Sequence, residues 1–268
     1  MKLKIRLRSL LVAAAATTVA VGAALMPATA GAAEPGPAGP PWSRPFHAGT
    51  HNMHYAQATF NDFADVIGWQ EVERGSGPVT DPLGKLREEL GPDYTTFAFG
   101  GAANAVPISW RTSMFSLVDD DASCTRTHPG EAHVTPHRYF CSARLRHLDS
   151  GREFVFVNTH FISGIYNHPE RVDRWNLHME LLRAFVQSQL DAGRQVVVVG
   201  DFNNQRRDGE VPGLMNLPGV HSLMDEYAEL PRDQMYASDD VFATNAAELP
   251  YWGSDHYAYK TTIKLPLS

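Results

Sequence analysis

The sequence has little cysteine, no long apolar run beyond its N-terminal segment, and fewer basic than acidic residues. Its two cysteines exclude a small scaffold held together by several disulfides. The 23 Lys and Arg against 30 Asp and Glu, a formal charge of −7, argue against a protein that binds polyanions through its overall charge. The 43% hydrophobic content of the 268 residues nevertheless suffices for a substantial core.

The one long apolar run, Leu10–Leu25, predicts a secretory signal peptide. Four basic residues precede it, and the small residues Ala28–Ala30 follow it in the pattern of a cleavage site. An uncleaved membrane anchor is the alternative, but the run is short and rich in Ala and Thr for a stable span. We expect cleavage near Ala30 to Ala33, a secreted protein, and no transmembrane segment in the mature chain.

The rest of the chain divides into a short leader and one domain. Residues 33–45 are rich in Pro and Gly and predict an extended or disordered leader. Removal of residues 1–32 takes away four basic and no acidic residues, which changes the formal charge from −7 to −11. Because the polar motifs described below span both halves of the remainder, we expect residues 46–268 to form one domain. We also expect a monomer without an obligate protein partner.

The two cysteines, Cys124 and Cys141, fall in the exported part of the chain, where disulfides persist. A bridge between them would close a loop of 16 intervening residues. Such a loop is worth about 3 kcal/mol in the loop-entropy model. We therefore predict a disulfide-linked hairpin. A zinc site is the alternative, because three histidines lie between the cysteines: His128, His133 and His137. The spacing, however, matches no common zinc pattern.

Apolar periodicity predicts mostly β-structure with two clear helices. Pro82–Leu90 has proline in its first turn. Pro169–Leu190 has apolar residues at three- and four-residue steps. The segment Met53–Phe63 has room for about two helical turns. Strands are expected at Phe46–Asn52, Ala64–Trp69, Tyr94–Phe99, Pro107–Arg111, Met114–Val118, Tyr139–Leu145, Phe154–Asn158, Val196–Val199, Gln234–Ala237 and Tyr257–Leu265.

Five short polar motifs stand at or near the ends of these apolar runs. Taken alone, each motif would be an ordinary turn or helix cap. Their order and their shared chemistry change this interpretation. The five motifs are Thr50-His51-Asn52, Gln70-Glu71, Asn158-Thr159-His160, Gly200-Asp201-Phe202-Asn203 and Ser254-Asp255-His256.

These residue types suit the hydrolysis of a phosphate ester, which requires stabilised phosphoryl oxygens and a positioned water. Oxygen ligands favour a hard cation such as Mg²⁺, Mn²⁺ or Ca²⁺. Two histidines are able to donate to phosphate oxygens, and an Asp-x-Asn pair is able to orient and deprotonate the water. The motifs thus predict a metal-dependent phosphoester hydrolase, with metal ligands Asn52, Glu71 and Asp255 and catalytic groups His160, His256, Asp201 and Asn203.

In these motifs the chain resembles the endonuclease/exonuclease/phosphatase superfamily, which includes deoxyribonuclease I, inositol-polyphosphate 5-phosphatases and bacterial sphingomyelinases. The resemblance covers about residues 46–265. It implies an α+β fold of four layers, a deoxyribonuclease I-like two-sheet β-sandwich flanked by helices, with the site at one end. By the same similarity the motif residues take the metal-binding and catalytic positions given above, and Asp233 orients His256.

Two further positions have a weaker counterpart in the superfamily. Arg138 matches a substrate-contacting arginine, with a plain solvated strand residue as the alternative. Several nucleases of the superfamily contact phosphate through a tyrosine. Here the corresponding region contains Asn104 and Trp110, and Asn104 is the weak substrate-binding candidate.

Three functions remain open at this stage. The first is a secreted nuclease on extracellular DNA or RNA. The second uses the same site on a phospholipid head group, as a sphingomyelinase or phospholipase C does, or on an inositol phosphate. The third is a catalytically silent binding module, which the complete set of acid, amide and histidine positions disfavours.

Overall fold

The structure is a computed structural model that describes residues 42–73, 78–128, 136–205, 216–227 and 229–267. The predicted signal peptide, most of the predicted leader and His133 lie outside these residues. The described end of the leader contacts the domain, because Trp42 forms a β-bridge with Pro266 and the Ser43 N–H donates to the Leu265 carbonyl. In the described part of the chain, no helix has the length and apolar character that a membrane span requires.

The described residues form thirteen strands, two α-helices and two short 3-10 helices. The helices are α1 (Pro82–Leu90) and α2 (Val172–Asp191), and the 3-10 helices are Gly101–Ala105 and Pro169–Arg171. The strands are β1 (Phe46–Asn52), β2 (Val66–Gln70), β3 (Tyr94–Phe97), β4 (Ile108–Arg111), β5 (Phe115–His128), β6 (Arg138–His147), β7 (Glu153–His160), β8 (Gln195–Asp201), β9 (Val220–Ser222), β10 (Asp233–Ser238), β11 (Phe242–Ala243), β12 (Ala247–Leu249) and β13 (Ala258–Lys264).

The strands form two sheets of similar construction. The first has the order β11-β13-β1-β2-β4-β3, with β12 also paired to β13. The second has the order β5-β6-β7-β8-β10-β9. Each sheet contains one parallel pair, β1 with β2 and β7 with β8. The remaining described pairs are antiparallel, so each sheet has one place where two neighbouring strands end side by side.

The core lies in three apolar layers. Between the sheets, residues that alternate along the strands pack face to face, including Phe46, Val66 and Val197. On the outer face of the second sheet, α2 buries an apolar stripe that includes Trp175 and Leu182. On the outer face of the first sheet, α1 packs against β2. This order of helix, sheet, sheet and helix confirms the predicted four-layer α+β sandwich.

One prediction is wrong. The segment Met53–Phe63 contains no helix, because three successive residues, His54, Tyr55 and Ala56, have positive φ angles of 47°, 54° and 58°. A right-handed helix requires negative φ angles, so it cannot pass through these three residues. The segment forms a tight turn at the site instead.

The disulfide is present as predicted. Cys124 of β5 and Cys141 of β6 are directly opposite one another, with their Cα atoms 4.1 Å apart. Because the bond occupies both sulfur atoms, neither is left as a thiolate for the alternative zinc site. The described strands β5 and β6 are longer than expected and form the antiparallel pair that the disulfide links.

Candidate functional site

The polar motifs meet because the strands that carry them end at the same end of the sandwich. In the first sheet, Asn52 and Gln70 are register partners at the ends of the parallel strands β1 and β2. In the second sheet, His160 and Asp201 are register partners at the ends of β7 and β8, and Asp233 at the start of β10 lies opposite Asp201. The sequence prediction of one composite site is therefore consistent with the geometry.

Two buried amides join the sheets beneath this site. The Gln70 side chain donates to Oδ1 of Asn158 at 2.6 Å, and Nδ2 of Asn158 donates to the Trp69 carbonyl at 2.7 Å. Gly68 makes this contact possible, because a Cβ atom there would lie 2.7 Å from Oδ1 of Asn158. The motifs contained both amides, but sequence reasoning assigned them no role. Their function is to hold the two sheets at a defined separation below the catalytic groups.

Asn52 connects two carboxylates across the sheets. Its Nδ2 donates to Oδ2 of Asp201 at 2.9 Å and lies 3.3 Å from Oε1 of Glu71. Its Oδ1 accepts from the backbone N–H of His54 at 3.0 Å. In this arrangement Asn52 orients both carboxylates through its amide nitrogen, so its role as a direct metal ligand stays a prediction. The backbone N–H of Tyr55 donates to the other oxygen of Glu71.

Asn203 of the Asp-x-Asn motif holds Asp201 in place. Its backbone N–H donates to Oδ1 of Asp201 at 2.8 Å, and its side-chain amide donates to Oδ2 at 3.0 Å. Asn203 has a positive φ of 50°, a strained conformation for a residue other than glycine. Asp201 is 1% exposed and accepts from Asn52 as well. Its carboxylate is thus restrained by three hydrogen bonds.

The two histidines predicted to be catalytic have different partners. Nδ1 of His160 lies 2.8 Å from Nη1 of Arg138, while Nδ1 of His256 lies 2.6 Å from Oδ2 of Asp233. The pairing of His256 with Asp233 is the one that the resemblance implied. His160 also places Nε2 at 3.4 Å from Oδ2 of Asp201, although Nε2 forms no hydrogen bond within the described residues.

The loop that carries His256 is tied to β1. Ser254 donates through its hydroxyl to the Asn52 carbonyl at 2.6 Å, and Nε2 of the buried His51 donates to the His256 carbonyl at 3.2 Å. Burial lowers the pKa of His51 to about 4, so this ring is a neutral hydrogen-bond donor. These contacts fix the backbone of His256 relative to the Thr50-His51-Asn52 motif of β1.

The charges in the site shift several pKa values. Burial by itself would raise the pKa of Asp201, but the interaction with His160 and the charge of His256 outweigh it and hold the pKa below the usual range. Burial by itself would lower the pKa of His256, but the charge and hydrogen bond of Asp233 raise that pKa to about 10. At neutral pH, Asp201 is a carboxylate and His256 an imidazolium.

The remaining predicted residues have different surroundings. The Asp255 side chain is 58% exposed and lies 3.7 Å from Nδ1 of His54. Asn104 caps a turn by accepting from the Gly100 N–H, and it lines a shallow cavity with Glu73 beside the site. Arg138 is only 6% exposed. The alternative of a solvated strand residue is therefore wrong for Arg138.

Sequence reasoning missed two residues at the site. Glu73 lies close enough to Arg138 for their charges to interact, and burial raises its pKa. Tyr55 is 40% exposed at the mouth of the site, and the charge of Glu71 raises its pKa. Tyr55 lies on the turn where a helix was expected, whereas the search for a phosphate-contacting tyrosine considered a different region. The proximity of both residues to the Asn52 and Glu71 motifs was the available signal.

The donor set fits a hard divalent cation. The carboxylates of Glu71 and Asp201 offer oxygen atoms, the ligands that Mg²⁺, Mn²⁺ and Ca²⁺ prefer. Among the described residues, Asp201, Asp233 and His256 have ligand atoms within 4.8 Å of one another. One oxygen of the buried Asp233, Oδ1, has no hydrogen-bond partner in the described part of the chain. The site thus contains buried negative oxygen atoms that a cation or its water ligands would satisfy.

Comparisons with known proteins agree with this geometry. The sequence profile of the Endonuclease/Exonuclease/phosphatase family matches residues 23–256. No curated protein sequence matches the chain. The mannosyl-6-phosphatase Bt3783 of Bacteroides thetaiotaomicron is similar in structure, with a TM-score of 0.59 at 15% identity over 81% of this chain and 99% of that one.

Two nucleic-acid-related or anion-bound structures are also similar. The D. rerio TDP2 complexed with a single-strand DNA product has a TM-score of 0.60 at 15% identity, over 82% of this chain and 99% of that one. The human Nocturnin catalytic domain with a bound sulfate anion has a TM-score of 0.57 at 16% identity, over 82% and 94%. At these identities the likeness shows the fold.

Proposed function

We propose a function from one established fact: the chain belongs to the endonuclease/exonuclease/phosphatase family. It is a phosphoester hydrolase of a family that generally uses divalent metals. We propose that it is a secreted, Mg²⁺- or Mn²⁺-dependent phosphodiesterase that acts as a nuclease on extracellular DNA or RNA. The observation that carries the proposal is the convergence of the two histidines with Asp201, Asn203 and Glu71 at one end of the sandwich.

The two histidines offer two hydrogen-bond donors to the phosphate. Nε2 of His160 is buried beside Asp201 and has no hydrogen-bond partner among the described residues, so it is available to a phosphoryl oxygen. His256 is an imidazolium because Asp233 holds the proton on Nδ1. It therefore presents a second proton on Nε2 to an oxygen that gains charge during hydrolysis.

Asp201 is better suited to orient the attacking water than to accept a proton from that water. Three hydrogen bonds restrain the carboxylate, and its lowered pKa makes it a weak base. Glu71 and Asp201 are the residues that would hold the cation, which would supply positive charge to the phosphate and lower the pKa of a water. Asn52 maintains the spacing of these two carboxylates.

Nucleic acid is the first candidate substrate because a structurally similar protein, D. rerio TDP2, is complexed with a single-strand DNA product. The negative overall charge of the chain counts against tight binding of a long duplex. A single strand or a chain end places less demand on basic residues. We therefore expect stronger activity on single-stranded than on double-stranded nucleic acid.

A second candidate function has one specific observation in its favour. A cavity of about 310 Å³ opens beside Asp233 and His256. Its lining includes four tyrosines and the carboxylates of Glu229 and Glu248, with Arg232 as a cation. This lining suits a neutral or cationic group attached to the phosphate better than a second phosphate. A phosphodiesterase for a small organic head group is therefore the alternative.

One assay separates these functions. Purified mature protein is incubated with single-stranded DNA, plasmid DNA, RNA, sphingomyelin and inositol phosphates in Mg²⁺, and each reaction is repeated in excess EDTA. Hydrolysis of the nucleic acids alone supports the nuclease, and hydrolysis of sphingomyelin alone supports the head-group enzyme. Absence of hydrolysis on all substrates, with the protein shown to be folded, favours the silent binding module.

Secretion has a separate test. The full-length chain is expressed in a bacterial host, and the N-terminus of the protein in the culture medium is determined by mass spectrometry. We expect an N-terminus between Ala30 and Glu34. Retention of residues 1–32 in a membrane fraction would indicate the uncleaved anchor instead. Size-exclusion chromatography with light scattering on the same sample tests the predicted monomer.

A further inference from the structure

The partner of His160 determines which of its ring nitrogens carries the proton. Arg138 donates hydrogen bonds and has no acceptor, and its guanidinium stays charged in proteins. The 2.8 Å contact between Nη1 of Arg138 and Nδ1 of His160 therefore requires Nδ1 to accept. A proton on Nδ1 would direct two N–H groups at one another. The proton of the neutral ring must then lie on Nε2, the nitrogen that faces Asp201 and the phosphate site.

The position of Arg138 suits this role better than contact with substrate. The residue is 6% exposed, and its charge interacts with those of Glu73, Glu71 and Asp201. These carboxylates offset the cost of burying the guanidinium. A residue that binds substrate phosphate would have to expose its guanidinium to the site, whereas here Nη1 is directed to the back of the imidazole ring.

A buried chain of hydrogen bonds fixes the backbone on both sides of the pair. The Thr127 hydroxyl donates to the Arg138 carbonyl at 3.1 Å, so its oxygen accepts from Nδ1 of His178 at 3.0 Å. Nε2 of His178 then accepts from the Thr159 hydroxyl at 2.9 Å. Thr159 directly precedes His160. Helix α2 thus locks β5, β6 and β7 together where Arg138 meets His160.

We propose that Arg138 is a positioning residue that holds the proton of His160 on Nε2 and directs it at the scissile phosphate. This inference rests on the proposed phosphodiesterase function for its catalytic consequence. Its structural part, the tautomer of His160, does not depend on any substrate. The two parts are therefore measured separately.

The tautomer is measured by NMR on protein labelled with ¹⁵N-histidine, in which the chemical shifts of the two ring nitrogens report which one is protonated. His160 is assigned by comparison with His160→Asn. In the wild type we expect the proton on Nε2. In Arg138→Met, which removes the donor and keeps much of the side-chain volume, we expect a mixture of tautomers. Arg138→Lys, which retains a donor, should restore the Nε2 form.

The catalytic consequence is measured on bis(p-nitrophenyl) phosphate with Mg²⁺. Arg138→Met should lower kcat about 10²-fold, the lower range for a positioned proton donor. KM should change by less than about threefold, because the ground-state contacts of the substrate remain. Arg138→Lys should recover a large part of kcat. Arg144→Met is the matched control, since Arg144 lies on the same strand but pairs with Glu153 away from the site.

Three outcomes would overturn the proposal. A persistent Nε2 proton in Arg138→Met would show that something else sets the tautomer. An increase in KM with unchanged kcat would show that Arg138 contacts substrate. If Arg138→Lys restored the Nε2 tautomer but lost as much kcat as Arg138→Met, the tautomer of His160 would not be the cause of the loss in activity. Wild-type protein without activity on any phosphodiester would contradict the proposed function and leave the tautomer measurement valid.

Discussion

His160 and His256 are buried histidines in the same site, yet their neighbours give them different chemistry. His160 faces a guanidinium and is confined to one neutral tautomer, whereas His256 faces a carboxylate and carries a positive charge. A guanidinium only donates, and a carboxylate only accepts, so each partner dictates the state of the ring that it contacts. The comparison teaches that the role of a catalytic histidine depends on the residue behind it.

The largest expected effect comes from Glu71, which is predicted to hold the metal ion. Because Glu71 also contacts Asn52 and His160, Glu71→Gln should remove most activity and keep the fold. Chelation of the wild type with EDTA should do the same, with recovery on addition of Mg²⁺ or Mn²⁺. The measurement is the initial rate with the melting temperature as control. Full activity in excess EDTA would contradict the metal-dependent mechanism.

The second prediction tests the His256 side of the comparison. Asp233→Asn and His256→Ala should each lower kcat about 10²- to 10⁴-fold, the range for a positioned acid–base group. Because the two residues act as a unit, the double variant should be scarcely worse than the poorer single variant. Steady-state kinetics of the wild type, the two single variants and the double variant form a double-mutant cycle. Additive losses would show that His256 does not depend on Asp233.

Two other buried histidines, His178 and His51, have no charged partner among the described residues, and their effect on stability should depend on pH. Burial lowers the pKa of His178 well below its usual value and that of His51 to about 4. A histidine with a folded pKa below its unfolded value of about 6.5 stabilises the protein above pH 6.5 and loses this contribution as the pH falls. Below pH 6.5, each ring should remove up to about 1.4 kcal/mol per pH unit until the pH reaches the folded pKa of that ring.

This pH dependence is measured by urea unfolding at pH 7 and pH 5. His178→Gln should be less stable than the wild type at pH 7 and should show a smaller loss between the two values. His168→Gln is the matched control, because His168 is exposed and pairs with Glu170. An equal loss of stability on acidification in wild type and His178→Gln would show that the lowered pKa of His178 does not cause the pH dependence.

The smallest expected effect concerns Asp255, the exposed neighbour of His256. Its side chain is 58% exposed, so solvent screens its charge. If Asp255 binds the metal as predicted, Asp255→Asn should increase the Mg²⁺ concentration for half-maximal activity by about tenfold or less with nearly unchanged kcat. A Mg²⁺ titration of the initial rate provides the measurement. An unchanged titration would remove Asp255 from the metal ligands.

Much of the fold could be predicted because its signals are local. The bounds of β1 and α1 follow directly from an apolar strand pattern and from a proline at a helix start. β7 and β8 extend beyond their apolar runs to His160 and Asp201, because strand pairing continues into the polar motif at the site. The failed helix at Met53–Phe63 was not foreseen, because the turn is held by the preceding Asn52, which accepts from the His54 N–H, and by Glu71, which accepts from the Tyr55 N–H across 16 sequence positions.

The sequence by itself determined the residue types, their order, and thus the family and the chemistry of phosphoester hydrolysis. It did so because oxygen ligands, imidazoles and an Asp-x-Asn turn are chemically specific even without coordinates. The family resemblance already implied that Asp233 is the partner of His256, whereas only the tertiary structure showed that Arg138 is the partner of His160. Arg138 reaches His160, and Asp233 reaches His256, through strand register and packing across sequence separations of 22 and 23 positions respectively. Protonation depends on such through-space contacts at about 3 Å, for which no pattern along the chain contains a direct signal.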